Sequence, residues 1–208
     1  MDWIAENWDL LLRAAWQHVG LVLVSLTVAS GLALAIGIAV RRRPHLSAVV
    51  SAVSGVLYTV PSLALFALLV PIVGLGVVPA VIGLTTYALL ILTRNVAAGF
   101  QQVPASVLDA ARAMGMAPGR ILWTIELPLA LPVFVAGLRV ASTTTISAAT
   151  IAAYINAGGL GAIILTGIQQ AFPAKIAFGA LVAAALAIGV DLALAGVERR
   201  LRDRGAAS

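Results

Sequence analysis

Cysteine is absent from this 208-residue chain, which excludes disulfides and thiolate metal sites and says nothing about compartment. Charge is scarce as well: Asp, Glu, Lys and Arg make up 10% of the residues, against about a quarter in a soluble domain. With 62% hydrophobic residues and a mean hydropathy of +1.07, the chain lacks the polar surface to cover itself and belongs in a bilayer. Catalytic groupings are missing too. His18 and His45 fall near opposite faces of the membrane, and no Ser, His and acid come together. No glycine loop followed by Lys-Ser/Thr offers a phosphate cradle. The chain is therefore expected not to be an enzyme and to hold no cofactor, nucleotide or metal of its own. The net charge of +5 does not point to nucleic acid, because the basic residues gather at the ends of apolar runs.

What is present is a set of long apolar stretches. A helix needs about 20 apolar residues to cross the hydrocarbon core. Candidate spans are Val19 to Val40, Leu46 to Val73 with interruptions at Pro61 and Pro71, Val77 to Ala98, Leu129 to Ile155, and Ile176 to Val197. Helices are the default in lipid, and no alternating barrel pattern is seen. The first run is too long for a signal-peptide core. The acids Asp2, Glu6 and Asp9 precede it and Arg41-Arg42-Arg43 follow it, so it reads as a retained span with its start outside. That orientation puts Arg94, Arg112, Arg120, Arg199, Arg200, Arg202 and Arg204 inside, and leaves only Arg13 and Lys175 outside. The resulting division is an outer segment 1–18, a membrane domain 19–198 with a polar loop near 99–128, and a basic cytoplasmic tail 199–208. Asn156-Ala157-Gly158-Gly159-Leu160-Gly161 breaks the fourth span, and the apolar piece after it is too short to cross. A re-entrant or surface helix on the outer side fits there.

The loop between the third and fourth spans carries a spaced pattern: Asp109-Ala110-Ala111, three residues, Gly115, nine residues, then Ile125-Glu126-Leu127-Pro128. Alanines favour helix, Pro118-Gly119 predicts a turn, and Pro128 predicts the end of a second short helix. Small residues at Ala110, Ala111 and Gly115 allow another backbone to approach closely. The segment reads as a docking knob facing water; the plainer alternative is an ordinary amphipathic connecting helix.

This pattern resembles the cytoplasmic coupling loop of permease subunits of binding-protein-dependent ABC importers, with all spacings kept and Asp109 in place of the usual Glu. Val60-Pro61-Ser62-Leu63-Ala64-Leu65-Phe66, Arg94-Asn95, Met114-Gly115-Met116, Glu126-Leu127-Pro128-Leu129-Ala130-Leu131-Pro132 and Ala157-Gly158-Gly159-Leu160-Gly161 resemble the osmoprotectant branch, which handles glycine betaine, carnitine, choline and proline betaine. The resemblance implies an all-α type I importer fold of about five transmembrane helices. It also implies a second permease subunit, the same chain or a homologue, a separate solute-binding protein, and ATPase subunits that hold ATP and Mg and grip the coupling segment. Asp109, Ala110, Ala111, Gly115, Ile125, Leu127 and Pro128 are the coupling residues it implies. Membrane lipid is the remaining partner, and nucleic acid is not expected.

Residues within the spans suggest a path. Thr143, Ser147, Thr150 and Tyr154 recur at i, i+4, i+7 and i+11, one face of a helix. They either line a solute path or pack against a neighbouring helix, and the run of hydroxyls from Ser142 to Thr150 tilts the reading toward the path. Tyr58 and Pro61 sit where the second span breaks, and breaks of this kind mark solute sites in transporters. Tyr87 and Asn95 are further path candidates, with bundle packing as the alternative. Asp191 is an acid deep in an apolar run, at a depth similar to Arg139. A structural ion pair is favoured over a proton or ion site. The rival readings are a permease for another small solute such as an amino acid, an ion-coupled carrier using Asp191, and a lipid-acting enzyme.

Overall fold

A computed structural model describes Trp3 and residues 6–206, without the side chains of 204–206. Asp2, the last two residues of the basic tail and the Arg204 side chain lie outside the described residues. Among the described residues every regular element is helical, in agreement with the all-α expectation. The helices are α1 (Trp8–Val40), α2 (Pro44–Leu57), α3 (Ser62–Val73), α4 (Val77–Gln101), α5 (Ala105–Ala113), α6 (Pro118–Ile121), α7 (Leu127–Ile151), α8 (Gly159–Gln169) and α9 (Pro173–Ala206).

Among the described residues four helical stretches are long and apolar enough to cross a membrane alone: α1, α4, α9 and the continuous run Pro118–Ile155. A fifth crossing exists if α2 and α3, bent by 92°, count together. That bend lies where Pro61 was expected to break the span. Pro61 has extended backbone (φ −60°, ψ 135°) and α3 restarts at Ser62. Pro71, by contrast, lies inside α3 without interrupting it. α1 begins at Trp8 rather than Val19. Its 33 residues make a rod of about 50 Å, longer than the roughly 30 Å hydrocarbon core. Trp8 and Trp16 are exposed on its first turns, a placement that suits the membrane–water interface.

The largest departure from expectation is in the polar loop. No turn forms at Pro118-Gly119, because Pro118 occupies the first turn of α6, where a missing N–H costs nothing. No stop forms at Pro128 either. Leu122–Glu126 is a widened π turn in which the Leu127 N–H bonds the Leu122 carbonyl. The shifted register admits the proline ring and carries the helix on into α7.

α4 is the central helix, packed against α1 on one side and α7 on the other, with α9 outside α7. Lipid tails supply no hydrophobic drive between membrane helices, so close packing of small residues has to. A Cβ on Gly83 would lie 2.5 Å from the Phe66 ring, and one on Gly99 would lie 2.9 Å from the Ala130 carbonyl oxygen. Interhelical hydrogen bonds add to this: Ser54 and Thr93 hydroxyls meet at 3.0 Å and Gln101 Nε2 donates to Ser47 Oγ at 3.1 Å, fixing α2 to α4. At the opposite end, Gln17 clamps the glycine turn before α8. Its Nε2 donates to the Ala157 carbonyl (3.1 Å) and its Oε1 accepts from the Gly159 N–H (3.0 Å). Asn156 and Gly158 there have left-handed backbone (φ 64° and 79°). The short helix expected after the fourth span is α8.

Replacing Gly83 with Leu forces Phe66 out of its buried position. We expect it to lower stability by about 1–3 kcal/mol, read as a lower thermal denaturation midpoint in detergent. Gly189→Leu on α9, where a Cβ would meet nothing within 4 Å, should leave that midpoint unchanged.

Candidate functional site

The coupling candidates lie on an arm at the basic end of the bundle. Pro104, in extended conformation, launches α5. The helix is stopped by Gly115, whose φ of +76° is left-handed and disfavours any side chain. Two backbone bonds close the stop: Gly115 N–H to the Arg112 carbonyl (2.9 Å) and Met116 N–H to the Ala111 carbonyl (3.1 Å). This is a Schellman cap, and it explains why a glycine is needed four residues after Ala111. Of the arm's motif residues, Ala111 is buried, while Asp109, Ala110 and Gly115 are exposed. Asp109 pairs with Arg112 at 2.8 Å on the open face. Met114 and Trp123 project beside it, 73% and 65% exposed, so the arm presents apolar tips to whatever it meets. Ile125 and Leu127 are half-buried in the root of the arm, and Pro128 is exposed.

Sequence reasoning missed the residue that anchors this root. Glu126 is buried (4% exposed). It accepts a hydrogen bond from Arg41 Nε at 2.7 Å, and Arg42 lies 3.7 Å from its other oxygen. The arginines that follow the first span thus do more than set orientation: they tie the end of α1 to the root of the arm. The signal was available as a lone acid in an apolar stretch with an arginine run elsewhere at the same membrane face.

Arg139 and Asp191 meet. Arg139 Nε and Nη2 bond the two carboxylate oxygens at 2.8 and 3.0 Å, a bidentate pair. Glu198, not singled out from the sequence, completes the cluster: it accepts from Arg139 Nη1 at 3.0 Å and from Arg202 at 2.6 Å. It lies two helical turns after Asp191 on the same face of α9, a spacing that could have revealed it. Both Asp191 oxygens are engaged by one guanidinium, which ties α7 to α9.

The path candidates separate into two groups. Tyr58 and Asn95 line one pocket of about 400 Å³ together with Leu90, Ile91, Arg94, Ala98 and Val140. Tyr87 lies behind it, buried, with its ring 5.8 Å from Tyr58 and edge-on. Its hydroxyl donates to the Val60 carbonyl, one of the acceptors freed by the break at Pro61. Thr143, Ser147, Thr150 and Tyr154 form the second group, along a face of α7 and its tight last turn that no other part of the chain covers fully. Ser147 and Tyr154 are exposed, Thr143 and Thr150 half-buried. The Thr143 and Thr150 hydroxyls bond back to carbonyls of their own helix. Among the described residues no cluster of His, Asp or Glu fit to hold a metal is present.

Arg139→Met strands Asp191 and leaves Glu198 with Arg202 alone, whereas Asp191→Asn leaves Arg139 paired with Glu198. We expect the first to lower the denaturation midpoint more than the second, and Arg139→Met combined with Asp191→Leu to recover part of the loss. Arg41→Ala, which removes the closest partner of Glu126, should cost about 2 kcal/mol in the same assay.

Residues 31–203 match the family described as binding-protein-dependent transport system inner membrane component. The carnitine transport permease protein OpuCB of Listeria monocytogenes is 38% identical over 94% of this chain and 90% of its own length. The choline transport system permease protein OpuBB of Bacillus subtilis is 32% identical over 99% and 94%. The fold is that of a chain in the inward-facing MetNI methionine ABC transporter, with a TM-score of 0.83 at 24% identity over 94% of this chain and 98% of that one. The exposed arm capped at Gly115, the bundle that roots it and these likenesses agree: the chain belongs to the binding-protein-dependent inner-membrane components, the permease subunits of ABC importers.

Proposed function

We propose that this chain is the membrane-spanning subunit of an importer for small quaternary-ammonium osmoprotectants such as carnitine, choline and glycine betaine. The observation that carries the substrate class is the likeness, over almost the whole chain, to relatives named for carnitine and choline transport. The chain works beside a second permease subunit, the same or homologous, and receives solute from a separate binding protein. ATP and Mg belong to partner ATPase subunits. The chain has no nucleotide site and acts as the moving part.

The arm is the point of contact with the ATPase. Its small residues Ala110, Ala111 and Gly115 allow close approach, Asp109 adds a carboxylate, Met114 and Trp123 supply apolar contact, and the Ile125-Glu126-Leu127-Pro128 root passes displacement into α7. The arm lies in the cytoplasm and the start of α1 outside, because the basic residues of α1's end, the arm and α9's end share one face. The uncovered Thr143, Ser147, Thr150 and Tyr154 face, with Tyr58 and Asn95, lines the path between the two permease subunits.

In cells that express the chain with its partners, labelled glycine betaine should be taken up, and carnitine and choline should compete. Failure to take up any of the three would refute the substrate class. Gly115→Val, strained at a left-handed position, should abolish uptake and reduce co-purification of the ATPase. Because the chain lacks cysteine, Arg112→Cys gives a single label site. A membrane-impermeant maleimide should reach it only after permeabilisation.

A further inference from the structure

Arg94 is the basic residue that the positive-inside pattern explains least. It lies about two turns, roughly 10 Å, before the end of α4 at Gln101, inside the span rather than beyond it. Its side chain is exposed in the single chain. Nη1 lies over α2, 3.9 Å from where a side chain on Gly55 would begin. Among the described residues no carboxylate pairs with it, although the other in-span arginine, Arg139, is fully engaged. An unpaired cation at membrane depth calls for a counter-charge, and this one borders the pocket of about 400 Å³ that also holds Tyr58 and Asn95. That volume falls in the roughly 300–1,000 Å³ range of small-molecule sites.

The pocket's chemistry has two poles. Tyr58 is 41% exposed and its ring is steadied by Tyr87, so it offers aromatic surface to a cation. Asn95 spends its Nδ2 on the Ile91 carbonyl at 2.9 Å, which leaves its oxygen free to accept. Arg94 supplies the positive pole. The pocket is also continuous with the hydroxyl face: Val140, which lines it, sits three residues before Thr143 and seven before Ser147, on the same side of α7.

Resting on the substrate class argued above, we propose that Arg94 is a specificity-determining residue of a solute subsite on the path. Arg94 pairs with the carboxylate of a zwitterionic quaternary amine while Tyr58 receives its trimethylammonium group. Carboxylate-bearing solutes such as carnitine and glycine betaine are favoured there over choline, which carries a hydroxyl instead. Selection by this chain is thereby added to selection by the binding protein.

The test is made in proteoliposomes holding the complete transporter with its ATPase and binding protein, by initial uptake rates of labelled carnitine and choline. Arg94→Gln should lower the carnitine-to-choline rate ratio on the order of tenfold or more, the scale of a lost charge-assisted pair. Arg94→Lys, which keeps the charge but not the fork, should fall between. Tyr58→Leu should lower both rates and leave their ratio as it was. Asn95→Asp, which places a negative charge in the pocket that Arg94 also lines, repels a solute carboxylate and should shift the ratio in the same direction as Arg94→Gln. It decides the matter alone if the glutamine variant fails to assemble. A ratio unchanged in Arg94→Gln or, where that fails, in Asn95→Asp overturns the subsite. So does a wild-type transporter that moves choline but no carboxylate-bearing solute. A wild-type transporter that moves neither solute, nor labelled glycine betaine, overturns the substrate class itself.

Discussion

A carboxylate buried at the foot of a membrane bundle persists only if cations come with it. Glu126 is that carboxylate, and Arg41 and Arg42 come from the far end of the first span. The arm that faces water and the helix that opens the chain are therefore locked together: separating them would leave a charge without a partner in a poorly solvated place. The π turn around Glu126 belongs to the same device, because its widened register carries the chain past Pro128 as unbroken helix. An arm on a flexible linker would waste any push it received. This one is joined to two spans at once.

Inside the bundle a different constraint rules. Apolar side chains gain little by leaving lipid for one another, so the helices hold by close approach and by a few shared polar contacts. The glycines of α4 let Phe66 and the backbone of α7 come near, and the serines of α2 reach its Thr93 and Gln101. What this arrangement leaves uncovered is as informative as what it buries. The hydroxyl side of α7 is only partly covered by the chain, with Ser147 and Tyr154 exposed, and the pocket beside Tyr58 adjoins it through Val140.

Much of the architecture was readable from the residues. Apolar run lengths located the spans, the bend fell at Pro61, and the spaced Ala and Gly pattern marked the arm. The failures were local and had physical causes. The pattern makes breakers of Pro71, Pro118 and Pro128, yet Pro118 occupies a first turn where no N–H is needed, the π turn admits Pro128 into continuous helix, and Pro71 is tolerated within α3. The start of α1 was set too late because Arg13, Gln17 and His18 interrupt the hydropathy without interrupting the helix. At the site, Arg139 and Asp191 stood out because each is costly in lipid. Glu198 and Glu126 did not, since an acid near a membrane face looks solvated until its arginines are located in space.

The continuous run Pro118–Ile155 spans 38 residues, about 57 Å of helix measured along its axis. Arg139, close to its midpoint, is bolted to α9 through Asp191 and Glu198. Held to α1 through Glu126 at its inner end and to α9 through Arg139 near its middle, the run cannot shift alone: a push on its inner end displaces three helices together.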